Sequence, residues 1–233
     1  ANNELGTRID LNAVGSMCRR HGALFHSDTV QTMGHYAFDL AQLPVDFLSA
    51  SAHKFHGPKG VGFLYMRNGA VLKPMILGGS QERNMRAGTE NLHGIVGLAK
   101  AMELAYRDLA EHQRHIAALK QLMRARVLAA IPGSSVNGDD SSDALYTVLN
   151  INFPDNGKGE MLIYNLDIEG IACSGGSACS SGSNKGSHVM AALYPGQTGA
   201  NIRFSFGRFN TAAEVEDCVG ALQRVLAPAL VAR

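Results

Sequence analysis

The sequence has no tryptophan and only four cysteines among its 233 residues. Thiols this few, scattered at Cys18, Cys173, Cys179 and Cys218, exclude a disulfide-stapled scaffold. A reducing compartment, the cytoplasm, is therefore the default expectation. Cys173 and Cys179 have no second Cys or His pair near them at zinc-like spacing, so no metal site is expected. No apolar run approaches the ~20 residues that a membrane span needs. An excess of charge of one sign is also missing, because the net charge is +1. That removes any electrostatic ground for nucleic acid or an anionic membrane as the main partner. Absent too are an initiator methionine and a signal-peptide pattern. The chain opens Ala1-Asn2-Asn3-Glu4, which reads as entry into the middle of a domain.

What is present points to a core-forming globular protein. Hydrophobic residues make up 45% and charged residues 18%. The length suits one to two domains at ~150 residues each. Glycine, 26 residues, exceeds its usual share of ~7%, as expected where backbone is shaped around a ligand.

Along the chain, residues 9–21 carry Ile9, Val14, Met17 and Cys18 near helical spacing, ending at Gly22. Ala23–Ser27 reads as a short strand that stops at Asp28, Val45–Ser51 as a second and Val61–Met66 as a third. Apolar strands separated by helix or loop indicate an α/β sheet with covered faces. Asn91–Ile131 is a long helical tract, either two helices or one bridging helix, ended by Pro132-Gly133. Beyond it, Leu145–Phe153, Gly170–Cys173 and Ala200–Phe206 read as strands. Gly159–Leu166, Ser187–Leu193 and residues 211–231 read as helices. The expected organisation is a large domain over 1–100, a connecting helix over 101–131 and a small domain over 132–233. A Ser/Gly-rich loop at 174–186 holds Cys179.

Two stretches carry chemistry. In Ser49-Ala50-Ser51-Ala52-His53-Lys54, a strand delivers hydroxyls, an imidazole and an amine into one turn before Gly57-Pro58-Lys59-Gly60. Open α/β sheets bind ligands at the carboxyl ends of their strands. Ser51 and His53 suit a phosphate, and Lys54 suits a Schiff base if its amine is held deprotonated. Read alone, Lys54 is an exposed lysine on a surface turn. Asp28 ends a strand with Gln31 three residues on. A carboxylate there suits the pyridinium nitrogen of pyridoxal phosphate. It equally suits an N-cap that starts a helix. Cys18 and Cys218 lie on amphipathic helices and read as small core residues, and Cys173 as packed rather than reactive.

Together these stretches resemble a known family. They are Asn2-Asn3-Glu4-x-Gly6, His26-x-Asp28-x-x-Gln31, Ser51-Ala52-His53-Lys54 and Gly78-Gly79-Ser80-Gln81-Glu82-Arg83. With them go Arg86-x-Gly88-Thr89, Gly176-Ser177-Ala178-Cys179 and Ile202-Arg203-Phe204-Ser205. In order and across essentially the whole chain, they are similar to cysteine desulfurases with a long mobile Cys loop. Those are fold-type I, class V aminotransferase-like enzymes. The resemblance implies an α/β fold with part of a large, mostly parallel-sheet domain and a small C-terminal α+β domain. It implies pyridoxal 5'-phosphate held covalently by Lys54, with Asp28 on the ring nitrogen. Gln31 and Asn3 would lie near the ring oxygen, and Ser51 and His53 on the phosphate. Thr89 would reach the phosphate in the neighbouring subunit of a homodimer. Asn3 and Arg203 would bind the carboxylate of L-cysteine, and Cys179 would take its sulfur as a persulfide. The sulfur would then pass to an acceptor protein such as an iron–sulfur scaffold, or into tRNA thiolation.

The chain departs from the family pattern at His56, Gly175 and Ala200-Asn201. Family members also carry well over ~100 residues ahead of Asn3, within the size of a domain. That stretch holds a Gly/Thr phosphate turn and a ring-stacking His, neither of which can be located here. Two other readings follow from the same residues. One is a selenocysteine lyase or another class V transferase. The other is a non-catalytic piece or partner chain that needs the missing N-terminal half.

Overall fold

The computed structural model describes residues 1–155, 159–175 and 187–227. They form two units, one of Ala1 with Ile9–Leu109 and one of Asn2–Arg8 with Ala110–Arg233. The seven residues Asn2–Arg8, expected in the large domain, thus belong with the second unit. The reason is local pairing: Leu145 N donates to Gly6 O at 2.8 Å, and Leu5 is buried beside Gly138. The tract expected as a separate connector is shared between the units, divided after Leu109.

In the first unit, α1 (Leu11–Arg20) starts one residue after Asp10, whose Oδ1 accepts from Asn12 N and Ala13 N. That cap leaves Ile9 outside the helix and 55% exposed, so the expected start at residue 9 is corrected. Gly15 is the buried residue of α1, because a Cβ there would collide with the Pro44 carbonyl. Strand β1 (His26–Asp28) pairs parallel with β2 (Phe47–Ser51). Strand β3 (Gly62–Met66) pairs antiparallel with β2, giving the order β1-β2-β3. β1 begins later than expected because the Phe25 carbonyl already accepts from Asp46 N and Phe47 N as the chain enters the sheet. Helix α2 (Leu92–Arg107) is capped by Asn91, whose side chain accepts from Gly94 N. Its small residues Ala101 and Ala105 join a core with Phe25, Met33, Leu48, Ala52 and Phe55.

The long tract breaks at Asp108, whose carboxylate takes both Nε and Nη2 of Arg107. Helix α3 (Leu109–Ala130) follows and buries Ile116, Leu119, Met123 and Val127 at helical spacing. The second unit carries an antiparallel sheet of β4 (Ser135–Val136), β5 (Val148–Phe153) and β6 (Ala200–Ser205), in that order. Leu149, Ile151 and Phe153 alternate into a core with α3, α4 (Leu162–Ile168) and α6 (Ala212–Leu226). Helix α5 (His188–Leu193) is capped by Ser187. A capping box between Thr211 and Glu214 starts α6.

Residues 170–173, expected as a strand, are not one. Gly170, with φ +81°, turns the chain at the end of α4, and Ile171 N donates back to Leu166 O. Pairing begins only at Ser174, in an isolated bridge to Arg203. The whole is an α/β fold, with one parallel and one antiparallel pairing in the first unit and antiparallel pairing in the second. Among the described residues no helix is long and apolar enough to cross a membrane.

Candidate active site

The parallel pairing of β1 and β2 sends both strands out of the sheet at the same end. Asp28 opposes Ser49 there, two residues before Ser51. Asp28 is exposed, and its Oδ1 accepts from Val30 N at 2.8 Å. It closes a turn rather than starting a helix, so the helix-start alternative does not hold. Thr29 fixes this edge, donating from both N and Oγ1 to Ser49 O at 3.0 and 2.8 Å. Gln31 follows, half-buried, in the same run of turns.

From Ser51 the chain enters one 3₁₀ turn, Ala52–Phe55. Positions three apart in such a turn share a face. Ala52 (0% exposed) and Phe55 (2%) therefore anchor it in the core. His53 and Lys54, between them, are left exposed. Ser51 Oγ and His53 Nδ1 are hydrogen-bonded at 2.8 Å. The Lys54 carbonyl accepts from His35 Nε2 at 3.1 Å, which holds the backbone while the amine projects into solvent. His56 closes the turn in the left-handed region (φ 66°), and Gly57 N donates to Ala52 O at 2.8 Å. The site edge therefore presents a carboxylate, an amide, a hydroxyl, an imidazole and an amine from within 27 residues. Thr89 lies in the same unit, exposed, just ahead of α2.

The other predicted pair, Asn3 and Arg203, meets in the second unit. Asn2 Oδ1 accepts from Glu4 N and Leu5 N, both at 2.9 Å, and Gly6 N donates to Asn2 O. Gly6 takes φ +77°, which closes Asn2–Gly6 into a tight turn. Arg203 Nη1 donates to Asn3 O at 2.8 Å. Burial lowers the Arg203 pKa, and the Glu4 carboxylate acts in the opposite sense. Its Nε is buried with no hydrogen-bond partner. Arg203 forms no salt bridge among the described residues.

Sequence reading passed over Glu4, Asn137, Asn150 and Ser187. Glu4 is 1% exposed and accepts from Ser187 Oγ at 2.5 Å. Asn150, opposite Arg203 in the β5–β6 register, donates to Glu4 O and accepts from Asn137 Nδ2. The available signal was the alternation Leu149-Asn150-Ile151-Asn152-Phe153, whose polar face is buried instead of wet. Burial pushes the Cys173 thiol up to about 11 and the Cys218 thiol up to about 12. Cys179 lies outside the described residues.

A model of the aminotransferase class-V family matches residues 1–218. The chain belongs to the aminotransferase class-V family. Among curated class-V relatives, a cysteine desulfurase of Gluconacetobacter diazotrophicus is 41% identical over 229 residues. One of Bradyrhizobium diazoefficiens is 43% identical over 228. Each alignment covers 97% of this chain but 57% of the relative, so the chain spans little more than half their length. A solved NifS-like protein superposes with a TM-score of 0.86 at 36% identity, over 97% of this chain and 59% of that one. A NifS-like protein of Rickettsia africae gives 0.83 at 27%, with 97% and 59% covered.

Proposed function

We propose that the protein is a pyridoxal phosphate-dependent cysteine desulfurase, acting as a homodimer in the cytoplasm. One observation carries the reading. Asp28, Ser51, His53 and Lys54 emerge at one end of a parallel strand pair, in a chain 41–43% identical to cysteine desulfurases over 97% of its length. The donor set fits the cofactor. A solvent-facing amine next to a hydrogen-bonded hydroxyl–imidazole pair suits an aldehyde bearing a phosphate. A carboxylate at the neighbouring strand end suits a protonated ring nitrogen.

When bound, pyridoxal phosphate supplies an electron sink that lets the C–S bond of cysteine loosen. Lys54 would hold it covalently through its amine and carry protons to and from the substrate carbon. Ser51 and His53 would donate to the phosphate, and Asp28 would keep the ring nitrogen protonated. Arg203 would grip the substrate carboxylate with the donors that Asn3 leaves open. Cys179 would attack the substrate sulfur as a thiolate. The C–S bond breaks, an S–S bond forms, and the carbon takes a proton. L-cysteine and the enzyme thiol thus become L-alanine and an enzyme persulfide, which delivers its sulfur to an acceptor protein such as an iron–sulfur scaffold.

The test is mass spectrometry of the cofactor-loaded protein after L-cysteine, with alanine measured in parallel. We expect alanine and a +32 Da adduct, the mass of one sulfur atom, on the peptide that contains Cys179. Alanine without that adduct overturns the role of Cys179. Neither product overturns the function.

A further inference from the structure

Asn137, Asn150 and Asn152 are buried, and the reaction outlined above uses none of them. Cross-strand partners in an antiparallel pair share a face. Asn150 pairs with Arg203, and Asn152 with Asn201, on the face of the sheet away from the core residues Leu149, Ile151 and Phe153. Their amides form a connected set. Asn137 Nδ2 donates to Asn150 Oδ1 at 2.9 Å and to Asn201 Oδ1 at 2.7 Å, and Gln197 Nε2 donates to Asn137 Oδ1 at 3.0 Å. Asn152 Nδ2 donates to Asn201 Oδ1 and to Thr198 O. An amide whose oxygen is committed on one side presents its nitrogen on the other. Asn150 does this, and its Nδ2 donates to Glu4 O at 3.2 Å. On the facing strand, Arg203 Nη1 donates to Asn3 O at 2.8 Å. Two paired side chains therefore hold consecutive carbonyls of the Asn2–Gly6 turn. Its other attachments grip different atoms: Leu145 N donates to Gly6 O, and Ser187 Oγ to the Glu4 carboxylate.

We propose that Asn150 is a positioning residue for the substrate carboxylate: it fixes the Asn3–Glu4 backbone against the sheet and thereby aims the guanidinium of Arg203. This rests on the desulfurase reading, in which Arg203 receives the carboxylate of L-cysteine. Arg203 is a long side chain whose Nε is buried without a partner. Its bond to Asn3 O decides where the remaining donors point. A carbonyl cannot swing freely when the next one along the chain is held. Without Asn150, Glu4 O would lose its side-chain donor, and a carbonyl left unsatisfied shifts toward any new partner within reach. Asn3 O would move with it, and Arg203 would lose its aim. The carboxylate is held in substrate and transition state alike, so the loss falls on binding and not on turnover.

The test compares Asn150→Leu with Asn152→Leu, which breaks the same amide set on the same strand without touching the turn. In the cofactor-loaded enzyme, Asn150→Leu should raise the KM for L-cysteine and the inhibition constant of L-alanine by about three- to tenfold, the net worth of one hydrogen bond. The turnover number should stay within about twofold, as for lost uniform binding. Asn152→Leu should lower the urea midpoint comparably and leave both constants unmoved. In an Arg203→Ala background, Asn150→Leu should add nothing further. Unchanged constants, equal shifts in both leucine variants, or an undiminished effect without Arg203 each overturn the proposal. Should Asn150→Leu not fold, Asn150→Ser carries the same expectations, because its hydroxyl ends one atom short of the amide nitrogen. A second readout needs no desulfurase activity. The amides of Glu4 and Leu5, both bonded to Asn2 Oδ1, report on the turn by hydrogen exchange. They should exchange about three- to tenfold faster in Asn150→Leu and at the unsubstituted rate in Asn152→Leu. Equal rates in all three proteins overturn the role of Asn150. A protein that forms no alanine at all sinks the functional reading and leaves the exchange comparison to decide whether Asn150 holds the turn.

Discussion

At the residue scale the chemistry is a matter of which side chains are buried and which are merely anchored. Lys54 and Cys173 illustrate the two cases. Lys54 is exposed, and its backbone is held by His35 and by the buried neighbours Ala52 and Phe55. Cys173 is half-buried and its thiol is pushed up to about 11, so at pH 8 about one molecule in a thousand carries the thiolate. Cys218 is pushed further, to about 12. A thiol whose pKa is raised stays neutral and unreactive below that value and becomes nucleophilic only as pH climbs through it. We therefore expect iodoacetamide at pH 8 to leave Cys173 and Cys218 unmodified on peptide mass maps, with labelling of Cys173 rising steeply above pH 10. Rapid labelling of Cys173 at pH 8 would make it a competing nucleophile.

At the element scale the 3₁₀ turn Ala52–Phe55 is the device that exposes His53 and Lys54 of the candidate site. Its presentation depends on Phe55, packed against Gly34 and on the same core as Ala105 of α2. Phe55→Ala should cost about 3–5 kcal/mol of stability, the usual range for truncating a buried aromatic. It should also weaken retention of pyridoxal phosphate, read by absorbance after dialysis. Phe25→Ala, just before β1 in the same core, is the control. It should lower the urea midpoint to a similar extent while retaining more cofactor. Equal loss of cofactor in both would mean that the turn has no special part in presentation. The expected strand at 170–173 failed at this scale. A positive-φ glycine, Gly170, ends α4 and spends the next residue on a backbone bond to Leu166.

At the scale of the whole molecule, the number of copies that build one candidate site can be counted through Thr89. Thr89 is exposed at the approach to α2, as suits a residue that serves a neighbouring subunit. If it does, Lys54→Ala and Thr89→Ala proteins should complement each other when unfolded together and refolded. Half of the random dimers would be mixed, each with one intact site, so about a quarter of the sites would be unaltered. At limiting cofactor that activity should exceed the mean of the two parents. If Thr89 serves its own subunit, no mixed dimer holds an intact site and the mixture stays at the mean.

The sequence by itself determined most element types, the strand expected at 170–173 excepted, the cluster Ser51-Ala52-His53-Lys54 and the family. These depend on neighbours a few residues apart, where periodicity and turn chemistry are written directly. Element ends moved by a few residues where caps intervened, as Asp10 does for α1. What only the tertiary structure decided is the setting of Arg203. Glu4, Asn150, Ser187 and Arg203 lie up to 199 positions apart, and they meet because β5 and β6 pair in one register and the Asn2–Gly6 turn packs beside them. Asn150 shows the physical reason. In an alternating strand its polar side chain predicts a wet face, yet it is 1% exposed. Hydrogen bonds to Glu4 and Asn137, both remote in sequence, make that burial tolerable. No local pattern can announce a partner that only folding brings into reach.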